Sequence, residues 1–389
     1  MFFFRPLPWE YGIRNLFRRP LRSGLTLIAL TIVTLLVLVV VGFVRGLERS
    51  LTVSGDPQTA IVFSLGMGEN LEYSSIPMGI TDLLAASTQG IQERYGRKYA
   101  SPELYLGTKI RTTADSPESL GLVRGVLPAA LLVHGQIEIQ GGQWPRSGEV
   151  LVGRLAATKL GLTQQQLAVG SELWFEGRSW RINGVFAAAG GTFESEVWCR
   201  LDDLQQTLKR QDLSLVAMTM GPTADFQDLN LFCKERIDLE LQAIRQTDYF
   251  ASLGKDYAPV RWLSWLVVLL IAGAGVFVGL NTMYGAVVGR IRELATLQTL
   301  GFSRRAAILS VVQEGTILAM AGALIASLLA YVLANGLAVR FTMGAFELLI
   351  DSQTLLVGNS IALLLGVGGA LPPAVKIIRL SVVDGLKTV

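Results

Sequence analysis

The chain has 389 residues, of which 51% are hydrophobic and 17% charged, against roughly a quarter charged in an ordinary soluble domain. The deficit is uneven: Arg45 to Arg261 holds 21 Lys or Arg and 25 Asp or Glu, while the rest of the chain holds 13 and 6. A purely soluble enzyme, a disordered chain and a basic nucleic-acid binder are excluded, and the net charge of +3 is the difference between an acidic middle and a basic remainder.

After a basic lead, residues 1–24, the stretch Leu25–Val44 runs 20 residues without a charge. At 1.5 Å per residue that crosses about 30 Å of hydrocarbon. A signal peptide would have a shorter apolar core and a small-residue cleavage site, which Phe43, Val44, Arg45 and Gly46 do not offer. Residues 45–261 form a normally charged domain. Three further uncharged stretches follow, 262–288, 315–339 and 354–375, each too long without a polar face for a soluble core helix. Loops at 289–314 and 340–353 and a tail at 376–389 separate and close them. The predicted fold class is a membrane protein of four transmembrane α-helices, one plus three, with a large extracytoplasmic α+β domain inserted between helices 1 and 2.

Orientation follows from Lys and Arg in the short flanks. Arg5, Arg14, Arg18, Arg19 and Arg22 precede the first span. Arg290, Arg292, Arg304 and Arg305 lie between the second and third, and Lys376, Arg379 and Lys387 follow the fourth. Both termini are expected in the cytoplasm and the domain outside, with Trp262, Trp265 and Tyr331 as candidates for interfacial belts.

Within the domain, short β-rich runs predict strands at Ala60–Ser64, Lys109–Thr113, Leu131–Ile139, Glu172–Phe175 and Arg178–Phe186. Gly148–Gly153 reads as strand and turn, followed by a helical segment over Arg154–Gly161 that ends on a glycine stop. A short helix is expected over Asp202–Lys209. Asp225–Leu253, apolar at Phe226, Leu229, Phe232, Ile237, Leu241 and Ile244, suits one amphipathic helix, either a stalk toward the second span or a helix packed on its own domain.

No catalytic constellation emerges. His134 is the only histidine, so a histidine zinc site or a serine triad would rest on that residue alone; it reads as a structural or surface side chain. Cys199 and Cys233 are the only cysteines and leave a disulfide and two buried thiols equally open. Glu194, Glu196, Asp202 and Asp203 read as solvated surface. The phosphate-cradling pattern G-x-x-x-x-G-K-[ST] is absent, so energy from a nucleotide has to come from another polypeptide. Glu314, at the entrance to the third span, is expected to pair with Arg290, Arg292 or water rather than to carry protons. Gly275 and Gly279, then Gly285 and Gly289, form two G-x-x-x-G spacings suited to helix packing, within the chain or between chains.

The string Arg290-Ile-Arg-Glu-Leu-Ala-Thr-Leu-Gln-Thr-Leu-Gly-Phe-Ser-Arg-Arg305, followed by Glu314 and a Gly/Ala-rich helix, resembles the signature region of the FtsX-like permeases. These are the membrane subunits of MacB- and LolC-type ABC transporters. Arg14–Ile28 resembles the family's lead into the first helix and Leu371–Lys387 its close. The strings Val123–Leu127, Gly153–Gly161, Ser195–Trp198 and Leu201–Leu204 resemble, in order, the MacB-type periplasmic core domain.

The resemblance implies a non-catalytic permease subunit in the bacterial inner membrane, without a cofactor of its own. A separate cytoplasmic ABC ATPase would bind ATP and Mg. A second permease chain, identical or not, and a periplasmic adaptor are further implied partners, with no nucleic acid. The ATPase would dock on the loop through Arg290, Arg292, Glu293, Leu294, Leu297, Leu300, Gly301, Arg304 and Arg305. Ile291, Leu294, Leu297 and Leu300 recur at three-residue steps, which suits a docking stripe as well as a helix lying on anionic lipid. Export or extraction of an amphipathic cargo is the implied work, with FtsX-type signalling to a cell-wall hydrolase as the alternative.

Overall fold

The computed structural model describes residues 9–379 apart from 68, 69, 114, 115, 223, 342 and 343. Arg5, Lys387 and the tail string from Leu380 onward lie outside the described residues. The chain divides into two compact units, one of Met1–Arg45, Pro259–Leu337 and Leu348–Val389, the other of Gly46–Ala258 with Ala338–Glu347.

Four helices are long and apolar enough to cross a membrane: Pro20–Ser54, Ala258–Val288, Arg304–Ala334 and Ser352–Val375. The first leaves Ile28, Ile32 and Leu36 exposed at four-residue steps, a lipid-facing stripe, and buries Leu30, Val37, Leu38 and Val41. Two of its buried threonines donate back one turn, Thr26 Oγ1 to Arg22 O at 3.0 Å and Thr31 Oγ1 to Leu27 O at 2.8 Å, whereas Thr34 Oγ1 has no hydrogen-bond partner among the described residues. In the most apolar window of the second helix only 17% of residues are buried, against 44% in the first, so the second keeps most of its surface for lipid or a partner. The last helical turn of the third, Ala330–Ala334, widens into a π-helix.

Glycines let these backbones approach closely. A Cβ on Gly315 would stand 2.9 Å from Ala370 Cβ and 3.0 Å from Gly366 O, joining the third helix to the fourth. Gly275 and Gly279 of the second helix face Val33, Leu365 and Gly369, and Gly285 and Gly289 face Arg22 and Arg19. All four glycines of the two G-x-x-x-G spacings therefore pack within the chain. Gly315→Val is expected to lower stability by about 1–3 kcal/mol through overpacking, whereas Gly273→Val, with nothing within 4 Å of its Cβ position, should leave the melting temperature unchanged. Thermal unfolding of the two variants in nanodiscs checks this.

The second unit is built on a ten-stranded mixed sheet. Its strands are β1 Thr59–Ser64, β2 Ala100–Ile110, β3 Ser119–Val126, β4 Glu138–Gly142, β5 Glu149–Gly153, β6 Glu172–Phe175, β7 Arg178–Ala187, β8 Glu196–Arg200, β9 Leu215–Thr219 and β10 Leu241–Arg245. They lie in the order β10-β1-β9-β2-β3-β8-β5-β7-β4, with β6 paired to β7. The pairs β3/β8 and β5/β7 are parallel and the others antiparallel. Alternation along β7 turns Trp180, Ile182 and Phe186 into the core. The helix Ala156–Leu160 ends on Gly161 at φ +69°, the left-handed stop its sequence predicts. The helix Leu201–Leu208 ends the same way on Lys209.

Two sequence expectations are corrected. Leu131–Ile139 is not one strand: Ala130–Val133 closes into a helical turn after Pro128, and the strand starts only at Glu138. Short apolar runs do not distinguish a buried turn from a strand. Nor is Asp225–Leu253 one amphipathic helix. Phe226–Glu235 is a helix capped by Asp225, Glu240 adopts φ +48°, Leu241–Arg245 pairs with β1, and Gln246–Asp256 is a second helix. Buried Leu241 and Ala243 alternate at the strand period, which the longer apolar pattern conceals.

Part of the loop predicted between the third and fourth spans belongs to the second unit. Ala338–Arg340 and Ala345–Glu347 form a hairpin, held to the domain by Arg154 Nη1 donating to Glu347 Oε1 at 2.6 Å. A ring contact between Tyr257 and Phe341, with centroids 5.0 Å apart, adds to it.

Candidate functional site: the loop after the second span

The second helix ends at Val288, and after Arg290 the chain re-enters helix over Ile291–Thr299. Gly301, at φ +91°, turns it back. Ser303 caps the next helix, its hydroxyl accepting from Ala306 N at 3.3 Å. A short helix is thus held between two tight turns.

Leu294 is buried with Val287, Ala307, Val311 and Ala374, and Leu297 packs on the same cluster. Leu300 is 71% exposed, and Arg292, Glu293, Gly301, Arg304 and Arg305 are exposed as well. The apolar residues at three-residue steps are therefore not one outward stripe. Each step of three turns about 300°, so successive leucines drift by about 60° and the fourth lies half a turn from the first. Leu294 and Leu297 anchor the loop helix, leaving Leu300 as the outward apolar residue of the set.

Arg290 Nη1 donates to both carboxylate oxygens of Glu314, at 2.8 and 2.9 Å, with both side chains largely buried. Of the partners considered for Glu314, the fold selects Arg290. The pair ties the start of the loop to the third helix, and Arg19 adds a second tie by donating to Gly289 O at 3.2 Å.

In the domain, the acidic residues depart from expectation. Glu194, Glu196 and Asp203 are buried, and only Asp202 is solvated. Glu194 accepts from the backbone N–H of Ala188 and Gly190 and from Arg154. Asp203 accepts from Ser147 Oγ at 2.8 Å and Gly148 N at 2.9 Å. Glu196 belongs to a network that local spacing conceals. On β3, Arg124 stands opposite Tyr105 of β2 and Trp198 of β8. Glu103 and Glu196 precede those partners by two residues, hence on the same face. Arg124 donates through Nε and Nη2 to Glu196 and through Nη1 to Glu103, all at 2.7 Å. His134 Nε2 lies 2.8 Å from the other Glu103 oxygen, so this histidine is structural. Cys199 and Cys233 are both free and buried.

Residues 23–230 match the MacB-like periplasmic core domain, and residues 265–382 match the FtsX-like permease C-terminal domain. The chain belongs to the MacB/FtsX family of ABC transporter permeases. This permease is 21% identical, over 97% of both chains, to an uncharacterized ABC transporter permease, YknZ, of Bacillus subtilis (strain 168). Among solved structures it is similar to the periplasmic region of MacB from Actinobacillus actinomycetemcomitans, at 11% identity and a TM-score of 0.39 over 52% of this chain and 94% of that one. It is also similar to the extracellular domain of the noncanonic ABC-type transporter YknZ from Gram-positive bacteria, at 13% identity and 0.37 over 48% and 100%.

Proposed function

We propose that this permease couples ATP hydrolysis on a separate cytoplasmic ATPase to movement of its extracytoplasmic domain, driving export or extraction of an amphipathic cargo. The arginines flanking the first span and the loop support a reading in which both termini and the loop lie in the cytoplasm, in a bacterial inner membrane. ATP and magnesium belong to the ATPase. A second permease chain completes the assembly, and a periplasmic adaptor is a further partner.

The observation that carries this reading is the construction of the loop. Leu294, Leu297 and the Arg290–Glu314 pair clamp the helix from within, while Arg292, Glu293, Leu300, Gly301, Arg304 and Arg305 remain outward. A part that has to transmit force is rigid on one side and exposed to a partner on the other.

Leu300→Glu is expected to weaken ATPase binding by roughly ten- to thirtyfold, the effect of losing one hot-spot residue, without changing the permease's melting temperature. Leu297→Glu should instead lower the melting temperature, because its side chain packs inward. Co-purification with the ATPase and membrane-stimulated hydrolysis measure the first effect. Unaltered binding by Leu300→Glu would remove the loop from the docking surface.

A further inference from the structure

The second unit contains a cavity of about 380 Å³, lined by that unit's residues alone. This lies within the roughly 300–1,000 Å³ range of small-molecule sites. Six rings line it: Tyr105, Tyr249, Phe250, Tyr257, Phe341 and Phe346. Leu47 and Leu51, on the last turns of the helix Pro20–Ser54, add aliphatic wall.

The charges in this wall are one-sided. Glu72, Glu196 and Asp256 line the cavity, against Arg124 as the single cation among the described residues of its lining. Arg124 is already committed, with Glu196 on one side and Glu103 on the other, and its guanidinium lies 4.7 Å from the centroid of the Tyr105 ring. It has little left to offer an anion, and Glu72 and Asp256 add uncompensated negative charge. Ring faces attract cations through their quadrupoles, more strongly where water is excluded.

We propose that this cavity binds an amphiphilic organic cation, its positive group drawn by the acidic wall and the ring faces and its apolar body seated against Leu47, Leu51 and Phe250. The site stands apart from the ATPase coupling proposed above, because occupancy is measured on the permease alone.

The test uses the full chain in nanodiscs of zwitterionic lipid and a diazirine-bearing dodecyltrimethylammonium probe, with a dodecylsulfonate of the same length as the anionic control. The cation is expected to label peptides carrying Tyr105 and Phe250, to be displaced by unlabelled dodecyltrimethylammonium, and to exceed the sulfonate roughly tenfold. Leu51→Trp should fill the cavity and cut labelling about tenfold. Asp256 is exposed and Glu72 partly so, and their double replacement, Glu72→Gln with Asp256→Asn, is expected to keep the fold. It should reduce the charge preference to less than about threefold, which keeps the proposal open to refutation even where Leu51→Trp fails to fold. Labelling confined to the spans, equal capture of both probes, or a charge preference that survives the double replacement would overturn the proposal.

Discussion

Arg290→Ala is expected to lower the stability of the helical unit by about 3–5 kcal/mol, the cost of removing one partner of a buried ion pair. Glu314 is 5% exposed and accepts two bonds from one guanidinium nitrogen of Arg290, so removing that group takes a buried cation from its side. The loop helix begins at Ile291, directly after Arg290, and the loss should therefore appear first as a loosened loop. Hydrogen exchange at residues 291–300 should rise in the variant, and thermal unfolding in nanodiscs should shift downward. The double variant Arg290→Met with Glu314→Leu should recover most of the loss, since apolar side chains of similar volume replace a buried pair at little cost. If Arg290→Ala melts with the wild type, the pair is a surface interaction and the clamp assigned to it is wrong.

Arg124→Leu should be as damaging to the domain, because it abandons two buried carboxylates at once. Glu103 and Glu196 are both under 5% exposed and both lie 2.7 Å from the guanidinium. Breaking such a pair costs about 3–5 kcal/mol, which for a domain of this size lowers the melting temperature by about 10 °C. Near-ultraviolet circular dichroism reports it directly, because Trp198 Nε1 donates to Glu196 Oε2 at 2.8 Å. Converting Glu103 and Glu196 to Gln in the same variant should restore part of the loss.

The same network makes a prediction about acid. Burial by itself would raise the Glu103 pKa, but His134 and Arg124 overcome it and hold the carboxyl at about 2, against 4.5 in its ordinary state. A folded-state pKa below the unfolded one means that the unfolded chain binds the proton more readily. The stabilisation, about 3 kcal/mol for a gap of this size, is complete above pH 4.5 and is lost as pH falls toward 2. Melting curves between pH 5 and 2 should fall steeply for the wild type and less steeply for Glu103→Gln. Parallel curves would show that Glu103 is not the group responsible.

The Arg290–Glu314 pair was partly legible in the sequence, because a carboxylate at the mouth of an apolar span needs a partner and few cations are near. The roles of Leu294 and Leu297 were not. Period three and the helical period of 3.6 agree over one turn and diverge over three, so an apolar step pattern does not tell anchor from docking face. The acidic residues of the domain were misread for a different reason. Glu194, Glu196 and Asp203 follow no local pattern that marks burial, and their partners lie 40, 72 and about 55 residues away in the chain.

The sequence by itself determined the four apolar helices, the charged domain between the first and second, and the glycine stop at Gly161. Each depends on a local quantity: the length of an uncharged run, the density of charge, or the one residue type at ease with positive φ. Tertiary structure decided the rest. Sheet pairing set Glu103 and Glu196 around Arg124 and turned Leu241–Arg245 from helix to strand, and the Arg154–Glu347 pair holds the hairpin at 338–347 against the domain. Those outcomes depend on which distant strand supplies the hydrogen bonds and the opposite charge, and no window of neighbouring residues contains that information.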